Sequence, residues 1–572
     1  MVIVLGLLGW LAWTAHEAYA GLTEARDEIT ATMSAVSSGD PVSATAGVDA
    51  ARSATTRAVG ATDSLIWKAA SAMPVLGSPF DVTAFVAHVV EDVVTEVLSP
   101  AAAAGIGLDP SELRGDDGTI AVALLRDAEP TLVRMYDGAA LLESQSMSVD
   151  TTTYVPLVTA AADAVKRQLS DLTSLLRTTS TAARVVPDMV GETTPRSYFV
   201  ALQTNAEARA TGGLIGGFAV ITADRGRLSL DELATNSELD GDYAPMDLGA
   251  EFTTNYEGRY RATSHWQNAN VSPHFPYTGQ ILRSIWEQES GQQVDGVVAT
   301  DPVALSYILD VVGPITLPDG EQIDARNVVE ATESTAYARF SDDNAARKAY
   351  LQDIAARTFA RMQSPVVSTA ALVRAVGRGV SEGHTALWSA DPLVQSELSG
   401  TAIAHEVPED SAPYANVVVN NGAGGKLDYF LERDVVYTAG SCSSPTRESR
   451  IDVTLTNTAP ARDYPAYVSG RFTGSTSFEG PPGTNRSLVE VFTTAGARLN
   501  RATVDGVPLL MLSGTERGHP VFYAPIVSEP GQSRTVVLEL VEPTAGGQAR
   551  VPVQPQVRDA SVVVDVPDCS HS

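Results

Sequence analysis

The sequence predicts a multi-domain α+β protein with a helical N-terminal region, a central α/β layered domain and a C-terminal antiparallel β-sandwich. Three observations carry that prediction. The chain has 572 residues, which at roughly 100 to 200 residues per domain implies about three domains. Apolar residues make up 44% and charged residues 19% of it, the balance of a chain that buries a core. The texture then changes twice, from helical periodicity to mixed strand and helix near residue 191, and to short strands from residue 401.

The first element is MVIVLGLLGWLAWTAHEAYAGL, uncharged from Val2 to Trp13 and closed by His16 and Glu17. Residues 1–20 read as a membrane anchor or signal segment. The run is shorter than the roughly 20 residues of a spanning helix and lacks a basic cytoplasmic flank, which points to a start upstream. Ala18-Tyr19-Ala20 resembles a cleavage site, but helix formers continue beyond it without a breaker. An uncleaved, single-pass anchor in the cell membrane is the reading, with the bulk of the chain extracytoplasmic.

Residues 21–190 read as a helical bundle or stalk. In the stretch after Tyr154, the residues Val158, Ala161, Ala162, Val165, Leu169, Leu172 and Leu176 recur at threes and fours and give one apolar face. SSGDP and LRGDDGT read as loops. Residues 191–400 begin with a buried strand at Tyr198 to Leu202, followed by FAVITADRGRLSL, a hairpin around Asp-Arg-Gly. A strand at Val294 to Ala299 runs into Thr300-Asp301-Pro302 as helix cap and first turn, and Gly313-Pro314 ends that helix. Strand, helix, strand in that order predicts an α/β layer domain. Residues 401–572 carry short alternating strands such as SRIDVTLTNTA and SRTVVLELVEP, as an antiparallel sandwich does. Cys442 and Cys569 are the two cysteines, and in an exported domain they read as one disulfide.

The charge excludes one class of partner. With 69 acidic against 39 basic side chains the formal charge is −30, and no basic run concentrates an opposing field, so nucleic acid is not expected. No nucleophile elbow, phosphate loop, dinucleotide fingerprint or paired metal histidines occurs either.

Three constellations remain as candidate sites. In TNAEARATGGLIGGF, the residues Asn205, Glu207 and Arg209 alternate, which in a regular strand puts all three on one face beside glycine amides, as an anion grip requires. The alternative is a surface Glu207–Arg209 pair at a glycine turn. Asp342 and Asp343 stand where a helix must start, with Arg339 and Arg347 around them. They read as N-caps or as holders of a divalent metal in a pyrophosphate pocket. SHWQNANVSPHFPYTGQ, with Trp266, Asn268 and Asn270, reads as a sugar-binding loop or as a packed loop without ligand.

RSYFVALQTNAEARATGGLIGGFAVITADRGRLSL, HWQNANVSPHFPYTG, VDGVVATDPVALSYIL and NNGAGGKLDYFLERDVVY together resemble the actinobacterial envelope proteins of the domain of unknown function 4012. The order of these segments, with AYARF and ARKAYLQDI, is also distantly similar to the LytR-CpsA-Psr phosphotransferases. Those enzymes move glycopolymers from a polyprenyl pyrophosphate carrier to the cell wall, using arginines and a metal held by aspartates. The resemblance implies a LytR-CpsA-Psr-like α/β domain with Arg209, Arg339 and Arg347 on the pyrophosphate. Thr211, Ser341 and Leu351 depart from that pattern, standing where an Asp, a second arginine and a glutamine are usual.

The function expected is therefore that of an envelope protein binding or transferring a polyprenyl-pyrophosphate-linked glycopolymer. Asn205, Glu207, Trp266, Asn268 and Asn270 would contact the saccharide, and Asp342 and Asp343 would hold magnesium. The partners are a membrane and a lipid-linked saccharide or cell-wall polymer. The alternative is a non-catalytic surface binding or scaffold protein.

Overall fold

The unbroken helix formers at the start become one helix, Val2–Ser37, in the structure, a computed structural model. It describes residues 2–37, 40–74, 76–104, 115, 118–364, 366–470 and 480–570. Asp40 caps the next helix, Pro41–Thr62, by accepting from the N–H groups of Val42 and Ser43, with proline at the first position. These two helices meet along small residues. A Cβ on Gly21 would lie 2.8 Å from Ala54 O, and Ala51, Ala54 and Ala58 are fully buried. A second pair, Val122–Met147 and Pro156–Met189, buries the apolar stripe the spacing predicts, through Ala162, Leu169 and Leu176.

The expected anchor or signal segment lies at the start of the first helix. Residues 2–37 are helical, but among the described residues no helix is long and apolar enough to cross a membrane. Glu17, Glu24 and Arg26 interrupt the apolar character within the same helix.

By packing, the chain divides into two units, residues 1–194 with 224–227, and residues 195–223 with 228–572. The second unit opens with a five-stranded sheet made of β1 (Arg196–Arg209), β2 (Gly212–Asp224), β3 (Arg227–Thr235), β4 (Gly296–Thr300) and β5 (Thr385–Ser389), in the order β3-β2-β1-β4-β5. β1 is antiparallel to β2 and parallel to β4. Strand alternation divides the side chains between two faces. Phe199, Phe218 and Val297 face the Phe275–Ser290 helix, where the rings of Phe199 and Phe218 stack at 5.0 Å and Trp286 meets Phe218 at 5.4 Å. Val200, Leu202 and Val298 face the helices Pro302–Val312, Asn344–Met362 and Thr369–Ser381. Asp301 caps the first of these through the N–H groups of Val303 and Ala304, and Gly313, with φ of 79°, closes it.

The chain after residue 414 forms two sheets. One contains β6 (Ala415–Asn421), β9 (Asn485–Thr493), β12 (Leu512–Glu516) and β13 (His519–Ser528), in the order β12-β13-β9-β6. The other contains β7 (Leu431–Ala439), β8 (Thr446–Asn457), β10 (Arg498–Val504), β11 (Val507–Pro508), β14 (Ser533–Pro543) and β15 (Ser561–Asp565), in the order β11-β10-β14-β8-β7-β15. Val417, Val489 and Phe522 from the first share one buried cluster with Val435, Val453 and Leu538 from the second. β15 is parallel to β7, and beyond it Cys569 is bonded to Cys442, as the cysteine count predicts.

Candidate functional site

The site begins where β1 leaves its ladder. Thr204 pairs with Leu214 and the next pair is Ala208 with Gly213, so Asn205, Ala206 and Glu207 loop out of register. A Cβ on Gly213 would lie 2.0 Å from Thr204 O, so only glycine fits opposite this excursion. Backbone groups taken out of a ladder need other partners when buried. Two carboxylates supply them: Glu333 accepts from Ala206 N–H at 2.7 Å and Asp428 from Ala208 N–H at 2.8 Å.

The excursion changes what the alternating residues do. Asn205, Glu207 and Arg209 do not share one exposed face, because the two-residue period ends at Thr204. Asn205 is fully buried and donates to Asp301 at 3.0 Å, while Asp301 also meets His384 at 2.6 Å. Glu207 lies between two cations, Lys426 Nζ at 2.5 Å and Arg209 at 3.3 Å. Burial alone would raise the Glu207 carboxyl, but Lys426 and then Arg209 outweigh it and hold it below its ordinary value. For Lys426, burial pulls the ammonium down, and Glu207 followed by the phenols of Tyr337 and Tyr467 carries it above its ordinary value.

A third cation joins this group from another element. The Arg347 guanidinium lies 5.0 Å from the Tyr337 ring and 4.1 Å from the Tyr467 ring, and Lys426 Nζ lies 5.5 and 5.4 Å from the same two rings. Glu333, beside them, is pushed up to about 7 by burial, against hydrogen bonds from Thr204 and Ala206 that lower it. Lys426, Arg347, Glu333, Tyr337 and Tyr467 line a cavity of about 410 Å³ between the sheet and its helices. Much of the rest of the wall is aliphatic, with Asp301, Lys348 and Gln352 among the polar residues on it, and Val200, Leu202, Leu305, Ile308 and Leu351 are only half-buried.

The remaining expected residues fall elsewhere. Arg209 and Asn268 line a separate cavity of about 300 Å³. Arg339 lines neither cavity; it is exposed and donates to Glu321 at 2.6 Å and Asp319 at 2.9 Å. The three arginines thus do not converge on one anion site, because acidic neighbours hold Arg339 and Arg209 in place. Trp266 is packed in the aromatic core, and Asn270 is fully buried, donating to Thr211 Oγ1 and Gly213 O, each at 2.9 Å, so it locks the β1–β2 turn.

Asp342 and Asp343, the residues expected to hold magnesium, stand at the start of the Asn344–Met362 helix. Asp342 and Asp343 are both exposed, and Asp343 accepts from Ala346 N–H at 2.9 Å as the helix cap. Among the described residues no group of three or more His, Cys, Asp or Glu side chains could hold a metal.

Lys426, Glu333, Tyr337 and Tyr467 are the candidate-site residues that sequence reasoning missed. The available signal for Lys426 was a lone lysine after glycines. Gly424 has φ of 66°, and a Cβ on Gly425 would lie 2.6 Å from Val468 O, so the glycines let the chain bend the lysine inward.

Residues 193–337 match the family described as Protein of unknown function (DUF4012). The matched stretch holds the strand excursion, Glu333 and Tyr337, and ends before Arg347, Lys426 and Tyr467. No curated protein and no solved structure matches the chain.

Proposed function

We propose that the second unit binds a polyprenyl-pyrophosphate-linked glycopolymer, with the isoprenoid chain in the aliphatic cavity and the phosphates at Lys426 and Arg347. The observation that carries this reading is the cavity itself. A central strand covered on both faces buries its aliphatic residues fully, yet Val200 and Leu202 stay half-buried because the helices stand off. That leaves an apolar surface shaped for a hydrocarbon ligand, lined in part by cations suited to an anionic headgroup. The sequence resemblance to the LytR-CpsA-Psr enzymes supports the same ligand class. On this reading the α/β layers are LytR-CpsA-Psr-like, the two C-terminal sheets act as a β-sandwich, and the protein works extracytoplasmically at a membrane, with Val2 to Trp13 as its anchor.

A second reading is non-catalytic holding of such a carrier without transfer. The division of Arg209, Arg339 and Arg347 among different surroundings favours it, since transfer requires donors gathered on one pyrophosphate.

The test is the thermal unfolding of the full chain in detergent micelles with and without a polyprenyl phosphate, each with and without magnesium. Stabilisation by the lipid is expected in the wild type and in Arg339→Ala, and is expected to vanish in Lys426→Met. A lipid without effect, or an equal effect in Lys426→Met, sinks the proposal.

A further inference from the structure

The cavity that holds Arg209 shares no lining residue with the aliphatic one and has the opposite chemistry. Three arginines line it, Arg209, Arg259 and Arg486, from β1, from the segment before the Trp266 loop and from β9. Three arginines on one small cavity are unusual in a chain of net charge −30, because each guanidinium left without a carboxylate repels the others. Arg209 has Glu207 as partner. Arg259 makes no ion pair with a carboxylate among the described residues; its guanidinium lies over the Tyr523 ring at 4.0 Å and near Tyr260 at 5.4 Å.

A nearby acid does not cancel this charge. Glu490, which interacts with Arg259, is pushed up to about 8 by burial and then by Glu516, so it is largely neutral at pH 7. A further polar group on the wall is unmet: Asn420 is buried, its amide nitrogen donates to Val271 O at 3.2 Å, and its Oδ1 has no hydrogen-bond partner among the described residues. A buried acceptor without a donor is a site for a hydroxyl to fill. Planar guanidinium forks match carboxylate and phosphate oxygens, and tyrosine rings offer faces to the C–H side of a sugar.

We propose that this second cavity binds an acidic saccharide, its carboxylate or phosphate held by Arg259 and a hydroxyl donating to Asn420. The site does not depend on lipid binding in the aliphatic cavity. Arg209 and Lys426 share Glu207, so the two cavities lie on either side of one carboxylate.

The experiment is titration calorimetry on the full chain with three probes: oligogalacturonate, a glycerol-phosphate oligomer and neutral maltohexaose. At least one acidic oligomer is expected to bind and maltohexaose is not, and which acid binds identifies the oxyanion. Arg259→Ala is expected to weaken that binding by about tenfold or more, equivalent to one good contact, with Arg259→Lys in between because it keeps charge and loses the fork. Arg339→Ala, at a residue that lines neither cavity, is expected to leave it unchanged. Failure of both acidic oligomers to bind, equal binding of maltohexaose, or loss of binding in Arg339→Ala instead of Arg259→Ala overturns the assignment. Arg259 is exposed, so its variants fold, and the outcome is read independently of the lipid assay.

Discussion

Glu542 and Glu207 are both buried carboxylates held by a buried cation, yet their surroundings are completed in different ways. Glu542 receives Arg447 Nε at 2.8 Å, then Tyr437, Ser449 and Thr494 hydroxyls at 2.6, 3.0 and 3.0 Å. Four donors converge on one carboxylate, as in a network that only stabilises. Glu207 is shared by two cations, and a third, Arg347, stands on the same tyrosine pair as Lys426. One cluster is saturated and the other carries surplus positive charge beside a cavity. The difference teaches that in this unit a buried ion pair points to a ligand only where cations outnumber the acids that answer them.

That contrast is open to direct attack. The largest effect is expected from Glu542→Ala, which strands Arg447 in the interior and should lower stability by about 3–5 kcal/mol in urea unfolding, with polyprenyl phosphate binding unchanged. Next comes a pH effect at Glu333. The unfolded carboxyl gives up its proton near 4.5 while the folded one keeps it to about 7, so between these values the folded state binds more protons and stability falls as pH rises. Glu333→Gln should remove about 3 kcal/mol of that fall, read as the difference between the two stability–pH curves from pH 4.5 to 7.5. Glu516 and Glu490, raised to about 7 and about 8, keep their own slope in both proteins.

Lys426→Met should cost about 1–3 kcal/mol, less than Glu542→Ala, because Glu207 retains Arg209. If it destabilises as much as Glu542→Ala, then the Glu207 cluster is structural and the contrast breaks. The smallest effect belongs to Arg339→Ala. Its partners Asp319 and Glu321 are half-exposed surface acids, and neither the unfolding midpoint nor lipid binding should shift measurably.

Much of the local structure was legible. The Asp-Arg-Gly hairpin, the Asp301 cap with Pro302, the Gly313 stop and the apolar stripe after Pro156 all depend on residues within one turn or one ladder. The disulfide was legible because two cysteines leave one pairing. The site was less so. Alternation at Asn205, Glu207 and Arg209 assumes a regular strand, and the excursion is set by carboxylates far along the chain, Glu333 at a separation of 127 residues and Asp428 at 220. Arg339 looked like part of an anion grip from its place before a helix, but the acids that hold it lie 18 and 20 residues earlier, on a turn whose fold the sequence did not disclose. Lys426 carried no motif, since its role comes from meeting Glu207 across 219 residues.

The tip of β1 also sets an order of assembly. The Arg209 carbonyl accepts from the side chain of Gln554, 345 residues later, and the Gly212 carbonyl from Gln556. At ordinary translation rates of about 5–20 residues per second, roughly 20 to 70 s separate the synthesis of that strand from the synthesis of its last partner. The second unit therefore begins with a strand that it finishes near its end, and contacts of such sequence separation make folding slow. A nascent chain cut before residue 554 lacks the groups that fix the tip of β1 between the two cavities, so these cavities are among the last parts of this protein to be completed.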